Sequence, residues 1–209
     1  MLTRAYDAIM ASIQVPAITN KNVDFNNSAI DDSVLNCKDY NGTVRTVASP
    51  CVYNGSSFGS ANYYAFYYPF AHWNVSNYSC LLPDEEESAP SYEDYSVSGR
   101  IPSGWTASST QPSFQKTYDP NTKEIMCSVT VLWQNTSGTA KTVYGVKVRC
   151  AFPHRGSYGS AKDSDYPFLL CREHFAAPVV VEDQGIISLT FTWRVGRAGL
   201  VGATAASAE

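Results

Sequence analysis

A few residue sets have types and spacing that could do chemistry. Gly55-Ser56-Ser57-Phe58-Gly59 fits the G-x-S-x-G pattern of a serine nucleophile. That chemistry needs a strand before Ser57 and a helix after it, so that the hydroxyl stands on a sharp turn. The residues that follow, SANYYAFYY, are poor helix formers, so the pattern reads as a Gly/Ser-rich loop. Cys150 with His154, and Cys171 with His174, offer two thiols and two imidazoles, a ligand set suited to zinc. Neither pair sits in a zinc module, and Cys150 continues an alternating strand pattern. Ordinary strand residues, with no metal, are therefore expected. Asp84-Glu85-Glu86-Glu87 is the longest charge run. It lacks the spacing of a calcium loop and reads as a solvated loop. Six N-x-S/T sequons begin at Asn26, Asn41, Asn54, Asn74, Asn77 and Asn135. They would suit a glycosylated secreted protein. Paired catalytic carboxylates, a phosphate-binding loop and H-E-x-x-H do not stand out, and His72 in PFAHW reads as a packing residue among aromatics. The expectation is no catalytic residue, no metal and no cofactor, hence not an enzyme.

The elements that would position these residues are strands. Tyr (14) and Phe (9) are abundant alongside Val and Thr, and such residues fit a pleated, half-buried surface. Gly, Pro, Asn and Ser supply turns. The most regular alternation is IISLTFTWRV, residues 186–195. Ile187, Leu189, Phe191, Trp193 and Val195 fall on one side, with Ser188, Thr190, Thr192 and Arg194 on the other. Residues 126–133 and 143–152 alternate as well, around QNTSGTA (134–140). Two such runs joined by a short Gly-containing loop predict an antiparallel hairpin. Cys127 and Cys150 would lie near one another in it, either as core neighbours or as a disulfide. PFLLCREHF and the run from PVVV to TWRV predict two or three further strands. EDQG between the last two is a turn, with Gly185 suited to positive φ.

These readings give one all-β domain over residues 16–195, with a docking helix at 1–15 and a tail at 196–209. Leu2, Tyr6, Ile9, Met10 and Ile13 repeat at helical spacing, and Asp7 interrupts what would be the apolar part of a signal peptide. Residues 83–122 contain five prolines and read as irregular; their dispersed Tyr, Trp and Phe argue for order, for instance by wrapping partners. GRAGLVGATAASAE reads as an extended arm or frayed end. The densest aromatic run, NYYAFYYPFAHW, exceeds what one strand face can hold and predicts either a buried strand or an interface. The contact residues expected are Tyr63, Tyr64, Phe66, Tyr67, Tyr68, Phe70 and Trp73, with Leu2, Tyr6, Ile9 and Met10 of the helix. The net charge of −4 and the lack of a basic stripe speak against nucleic-acid binding. No apolar run approaches the roughly 20 residues that span a membrane. Without a secretion signal, the six cysteines are expected to be reduced and mostly buried.

Four segments, in order, resemble a recurring type of tailed-bacteriophage virion protein: SAPSYEDYSVSGRIPSG (88–104), MCSVTVLWQNTSGTAKTVYGVKV (126–148), FLLCREHF (168–175) and APVVVEDQGIISLTFTWRV (177–195). MLTRAYDAIM is also similar to the openings of such proteins. Lys147 departs from the resemblance, standing near where the family often carries an aliphatic residue, and a Gly-Thr-Gly element common upstream is absent. The resemblance implies an antiparallel β-sandwich, jelly-roll-like or Ig-like, with a short N-terminal helix and long loops. It implies a structural subunit of the neck, tail, fibre or head surface, made in the bacterial cytoplasm. Its partners would be copies of itself and other virion proteins. Two other readings use the same residues: a receptor- or carbohydrate-binding module that stacks host-surface glycans on exposed rings, and a secreted disulfide-linked glycoprotein.

Overall fold

The computed structural model describes residues 1–8, 36–46, 80–98, 101–107, 113–122, 124–151, 167–195 and 200–208. They form an all-β, antiparallel fold. Ten strands follow in order: β1 (Asn36–Lys38), β2 (Val44–Thr46), β3 (Cys80–Asp84), β4 (Trp105–Ala107), β5 (Ser113–Asp119), β6 (Glu124–Asn135), β7 (Lys141–Ala151), β8 (Pro167–Val181), β9 (Ile186–Val195) and β10 (Leu200–Ala208). β1 and β2 make a small ribbon. The five-stranded sheet runs β10-β9-β6-β4, with β5 also on β6, and the three-stranded sheet runs β3-β7-β8.

The alternation of residues 186–195 builds one wall of the core. β9 pairs with β6 so that Phe191 stands beside Val129, Leu189 beside Val131 and Ile187 beside Trp133, all of them buried. Their outward neighbours are mostly polar, with Leu132 exposed among them, and the Thr130 and Thr190 hydroxyls meet at 2.8 Å. On the other sheet, Leu81, Val148 and Cys171 form a buried cross-strand row. The buried Trp133 indole N–H donates to the Leu81 carbonyl (2.9 Å), joining the two sheets across a shared core.

The expected 126–152 hairpin does not form. Its two strands lie in different sheets, β6 beside β9 and β7 between β3 and β8. Residues 136–140 are therefore an arch between layers, because the apolar rows of both strands are better buried facing across a core than side by side in one sheet. Asn135 fixes the arch. Its side chain is fully buried. Its two amide hydrogens are shared among the carbonyls of Thr139 (2.7 Å), Val181 (2.9 Å) and Glu182 (3.2 Å). Its Oδ1 accepts from the Ser137 amide (3.0 Å) and hydroxyl (2.7 Å). Its own backbone pairs with Gln184 and Gly185, so the arch and the β8–β9 turn close on one residue. In that turn the positive φ falls on Gln184 (64°), not on Gly185 as expected. Gly185 is needed for space instead, since a Cβ there would stand 2.9 Å from the Glu182 carbonyl oxygen.

Of the two readings of the tail, the extended arm fits: residues 200–208 form β10, paired with β9 on the side away from β6. The expectation of an irregular 83–122 is corrected. The stretch 83–122 contains the end of β3, β4 and β5, and its residues 85–98 cross the outer face of the three-stranded sheet. β8 is interrupted by a wide bulge. Gly145 faces His174 and Val143 faces Val179, two steps on β7 against five on β8. At this bulge a Cβ on Gly145 would lie 2.0 Å from the Glu173 carbonyl oxygen. Gly145→Ala is expected to cost about 1–3 kcal/mol, as overpacking does, measured by urea unfolding. An unchanged midpoint would mean that the bulge relaxes freely.

Candidate functional site

The pleat sends alternate residues of the three-stranded sheet to opposite faces. The row next to Leu81–Val148–Cys171 is Leu82–Lys147–Arg172, and it faces outward. Arg149 and His174 lie on the same outer face, with Asp84 at the end of β3. This face is buried all the same, because residues 85–98 lie over it like a strap. Lys147, Arg149, Arg172 and Asp84 are all buried, Arg172 to 1% exposure.

Arg172 organises the site. Its Nε donates to Asp84 Oδ2 (2.6 Å), and its Nη1 to Asp94 Oδ2 (3.0 Å) and the Ser88 hydroxyl (3.3 Å). Its Nη2 donates to the carbonyls of Ser88 (2.7 Å) and Glu86 (2.9 Å). The planar fork thus ties three points of the strap to the sheet, a geometry that a lysine cannot reproduce. Burial alone would pull the guanidinium pKa down. The hydrogen bonds to Asp84 and Asp94, with the charges of Asp84 and Glu86, outweigh it and hold the pKa above its ordinary value. Lys147 lies 3.6 Å from Asp84 Oδ1 and donates to Glu86. His174 Nε2 sits 3.1 Å from the Glu86 carbonyl and 3.4 Å from Asp84 Oδ2. A second cluster fastens the start of the strap: Glu85 binds Lys141 through both oxygens (2.8 Å each) and accepts from the Trp105 indole (2.7 Å).

Within the acidic run Glu85, Glu86 and Glu87 are exposed, as expected of a solvated loop, but Asp84 is buried. Glu85 and Glu86 each pair with a cation at the surface, and the buried Asp84 charge is paired with Arg172 and Lys147, as a buried charge requires. An aliphatic residue at position 147 would leave Asp84 and Glu86 without that partner. The chemistry of the cluster is mechanical. It pins a strap and exposes no nucleophile.

The chain's first residues complete the three-stranded sheet. Leu2 bridges Cys171, and backbone bonds join Thr3 N–H to Leu170 O (3.0 Å) and Arg172 N–H to Met1 O (2.9 Å). Residues 4–8 are helical. Ala5 and Ala8 are buried in the core, and Leu2 and Tyr6 pack against it. The described part of the expected docking helix, residues 4–8, thus packs on its own chain, and Leu2 and Tyr6 make contacts there. The Tyr92 hydroxyl donates to Asp7 (3.0 Å) and Tyr92 O accepts from the Arg4 amide (2.9 Å), linking this arm to the strap. Between them lies a cavity of about 200 Å³, lined among others by Arg4, Cys37, Lys38, Glu93 and Tyr95.

The other expected sites separate. Cys171 and His174 are three apart on a strand and so face opposite ways, Cys171 into the core and His174 toward the strap. They cannot share a metal, and among the described residues no group of three candidate ligands occurs. Cys37, Cys80, Cys127, Cys150 and Cys171 are buried free thiols. Cys127 and Cys150, in different sheets, are not bridged. Burial pushes the Cys37 and Cys80 thiols up to about 12, against the opposing charges of Arg4 and Arg149, and raises Cys171 as well. Of the sequons, Asn135 is buried with its amide fully engaged, whereas Asn41 is exposed in the β1–β2 turn. Ser57, His154, Cys51, Ile9, Met10 and all the aromatic contact residues from Tyr63 to Trp73 lie outside the described residues. No helix among the described residues is long and apolar enough to cross a membrane. Comparison with protein-family models, curated proteins and solved structures finds no match.

Two outcomes are expected. Arg172→Met leaves Asp84 and Asp94 short of a buried partner and should cost about 3–5 kcal/mol in chemical unfolding, with proteolytic cleavage appearing within 85–98. A loss below about 1 kcal/mol would mean that the clamp behaves like a surface ion pair. The five buried thiols should resist Ellman's reagent at pH 8 until the protein is unfolded, because thiolate is the reacting form. Prompt reaction of all of them in native protein would contradict this burial.

Proposed function

We propose that this chain is a structural subunit of a tailed-phage virion, present in several copies at the neck or tail or on the head surface. The observation that carries the reading is where the four resembling segments fall. Residues 88–104 supply much of the strap and the approach to β4. Residues 126–148 are most of β6, the arch and most of β7. Residues 168–175 and 177–195 are β8 and β9. Segments that follow one another in the resemblance are thus packed against one another in the fold, as parts of one module would be.

The physical character of the molecule agrees. Its most elaborate polar cluster fixes a surface segment, as a scaffold requires. Function would lie in association, where repeated interfaces add modest affinities into a stable assembly. The test is to purify particles from a lysate in which this chain is expressed with its phage. Mass spectrometry should find the chain in the particle fraction at a fixed ratio to the major head or tail protein, and imaging should place it at repeated positions. A chain that stays in the soluble fraction while particles form normally would refute the reading.

A further inference from the structure

Residues 85–98, the strap, are held to the rest of the molecule by charge and hydrogen bonds more than by apolar burial. The segment carries five acids, Glu85, Glu86, Glu87, Glu93 and Asp94, and no lysine, arginine or histidine. Four of the five meet a cation of the body. Glu85 pairs with Lys141 of β7 (2.8 Å), and Glu86 with Lys147 of the same strand. Glu93 lies 3.8 Å from Arg4 of the arm, and Asp94 lies 3.0 Å from Arg172 of β8. The Lys38 ammonium of β1 stands over the Tyr95 ring (4.9 Å), and Arg149 of β7 reaches the Ser98 carbonyl (3.5 Å). The apolar content of the contact is small. Val97 is the one buried apolar residue of the strap, and most of the others are exposed.

The arm beside it is held differently. Ala5 and Ala8 are buried in the core, and Leu2 and Tyr6 pack against it. Lifting the arm exposes apolar surface, which costs in proportion to its area. Lifting the strap mainly exchanges protein partners for water. Lys147, Arg149 and Arg172 are hydrated as it leaves, so no charge stays buried without a partner. Arg172 also keeps Asp84, which belongs to β3 and not to the strap (2.6 Å). A segment with few buried apolar contacts and many exposed hydrogen bonds is of the kind that opens locally while the core stays closed.

We propose that the strap is a charge latch, which opens as a unit of its own without unfolding the two sheets and whose opening is governed by salt. Three of its ion pairs, those of Glu85, Glu86 and Glu93, have exposed carboxylates. Such pairs weaken as the screening length shrinks toward contact distance. The latch sets the sign of charge that this side of the molecule presents. Closed, it shows an acidic ridge of Glu86, Glu87 and Glu93. Open, it shows the cations Lys147, Arg149 and Arg172, which are buried while it is closed.

The test uses the full wild-type chain and two labels read by mass spectrometry. Lys147, buried under the strap, is acetylated with an N-hydroxysuccinimide ester. Cys127, buried in the core, is alkylated with iodoacetamide and reports opening of the whole fold. Each rate is divided by the rate of the same residue in the unfolded chain, which gives a protection factor. Lys147 is expected to be less protected than Cys127. Its protection should fall about tenfold, as three exposed pairs weakened together allow, between low ionic strength and about 1 M salt. That of Cys127 should not fall. Cleavage within 85–98 by a glutamate-specific protease, corrected with a free peptide substrate, should rise in step. Equal protection of Lys147 and Cys127 overturns the proposal, because the strap then opens only with the core. Protection of Lys147 that ignores salt does so too. Labelling of Lys147 without a rise in cleavage also overturns it, since the side chain then reaches out past a closed strap. As a further check, a variant combining Glu85→Gln, Glu86→Gln and Glu93→Gln should show at low salt the protection that wild type shows at high salt. A variant that keeps the full salt response counts against the latch.

Discussion

The fold turns on a buried arginine. An unpaired guanidinium cannot be taken out of water without a large penalty, so Arg172 dictates what must lie above it. It needs acceptors in the plane of its fork, and at 1% exposure it finds none in solvent. Asp84 supplies one acceptor from the adjacent end of β3. The strap supplies the others through Asp94, Ser88 and the Glu86 carbonyl. Around Arg172 the outer face of the three-stranded sheet is consequently closed by the polar chain of the strap. This accounts for a fold in which the three-stranded sheet is covered on its outer face around Lys147, Arg149 and Arg172, while the other sheet shows Ser and Thr to water.

The same constraint explains what the first residues of the chain are doing. The backbone of Arg172 also holds the arm, its N–H donating to Met1 O. One residue therefore anchors the strap with its side chain and the arm with its main chain. Arm and strap are in turn bonded to each other at Tyr92 and Asp7. A disturbance at any of the three is felt by the other two, which is the behaviour expected of a coupled polar network rather than of independent ion pairs.

Much of this was legible in the sequence, for identifiable reasons. The alternation of residues 186–195 and 126–133 was read correctly because period two leaves little choice of face once one side is apolar. The class of fold followed. The pairing did not. Periodicity says which side of a strand is buried but not whether its neighbour lies beside it or across the core, so an arch was taken for a hairpin. The deciding residue, Asn135, looked like part of a turn and a sequon, and its role depends on carbonyls near residue 181. The charged cluster was missed for a related reason. Lys147 and Arg149 alternate with Val146 and Val148, and Asp84 follows CLLP directly. Cations on one face of a strand whose other face is apolar, and an acid at the end of an apolar run, together signal a buried polar layer. Each was judged alone and assigned to the surface or left without a role. Cys171 and His174 fall on opposite faces of β8, since a spacing of three brings residues together on a helix and not on a strand.

The arch has a consequence for how the chain can fold at all. Because β6 and β7 belong to different layers, and β8 and β9 do too, neither sheet can be finished before the other has begun. Asn135 cannot satisfy its amide until residues 181–185 have arrived, and Leu2 and Thr3 have no edge to join until residue 172 is in place. Most contacts are remote along the chain, which favours slow folding in one late, cooperative step. During synthesis on a ribosome, most of the polypeptide must emerge before any part of this core closes. Until then the apolar rows of β6 and β7 are open to other nascent copies, which makes the interval before closure the stage at which the protein is most exposed to misassembly.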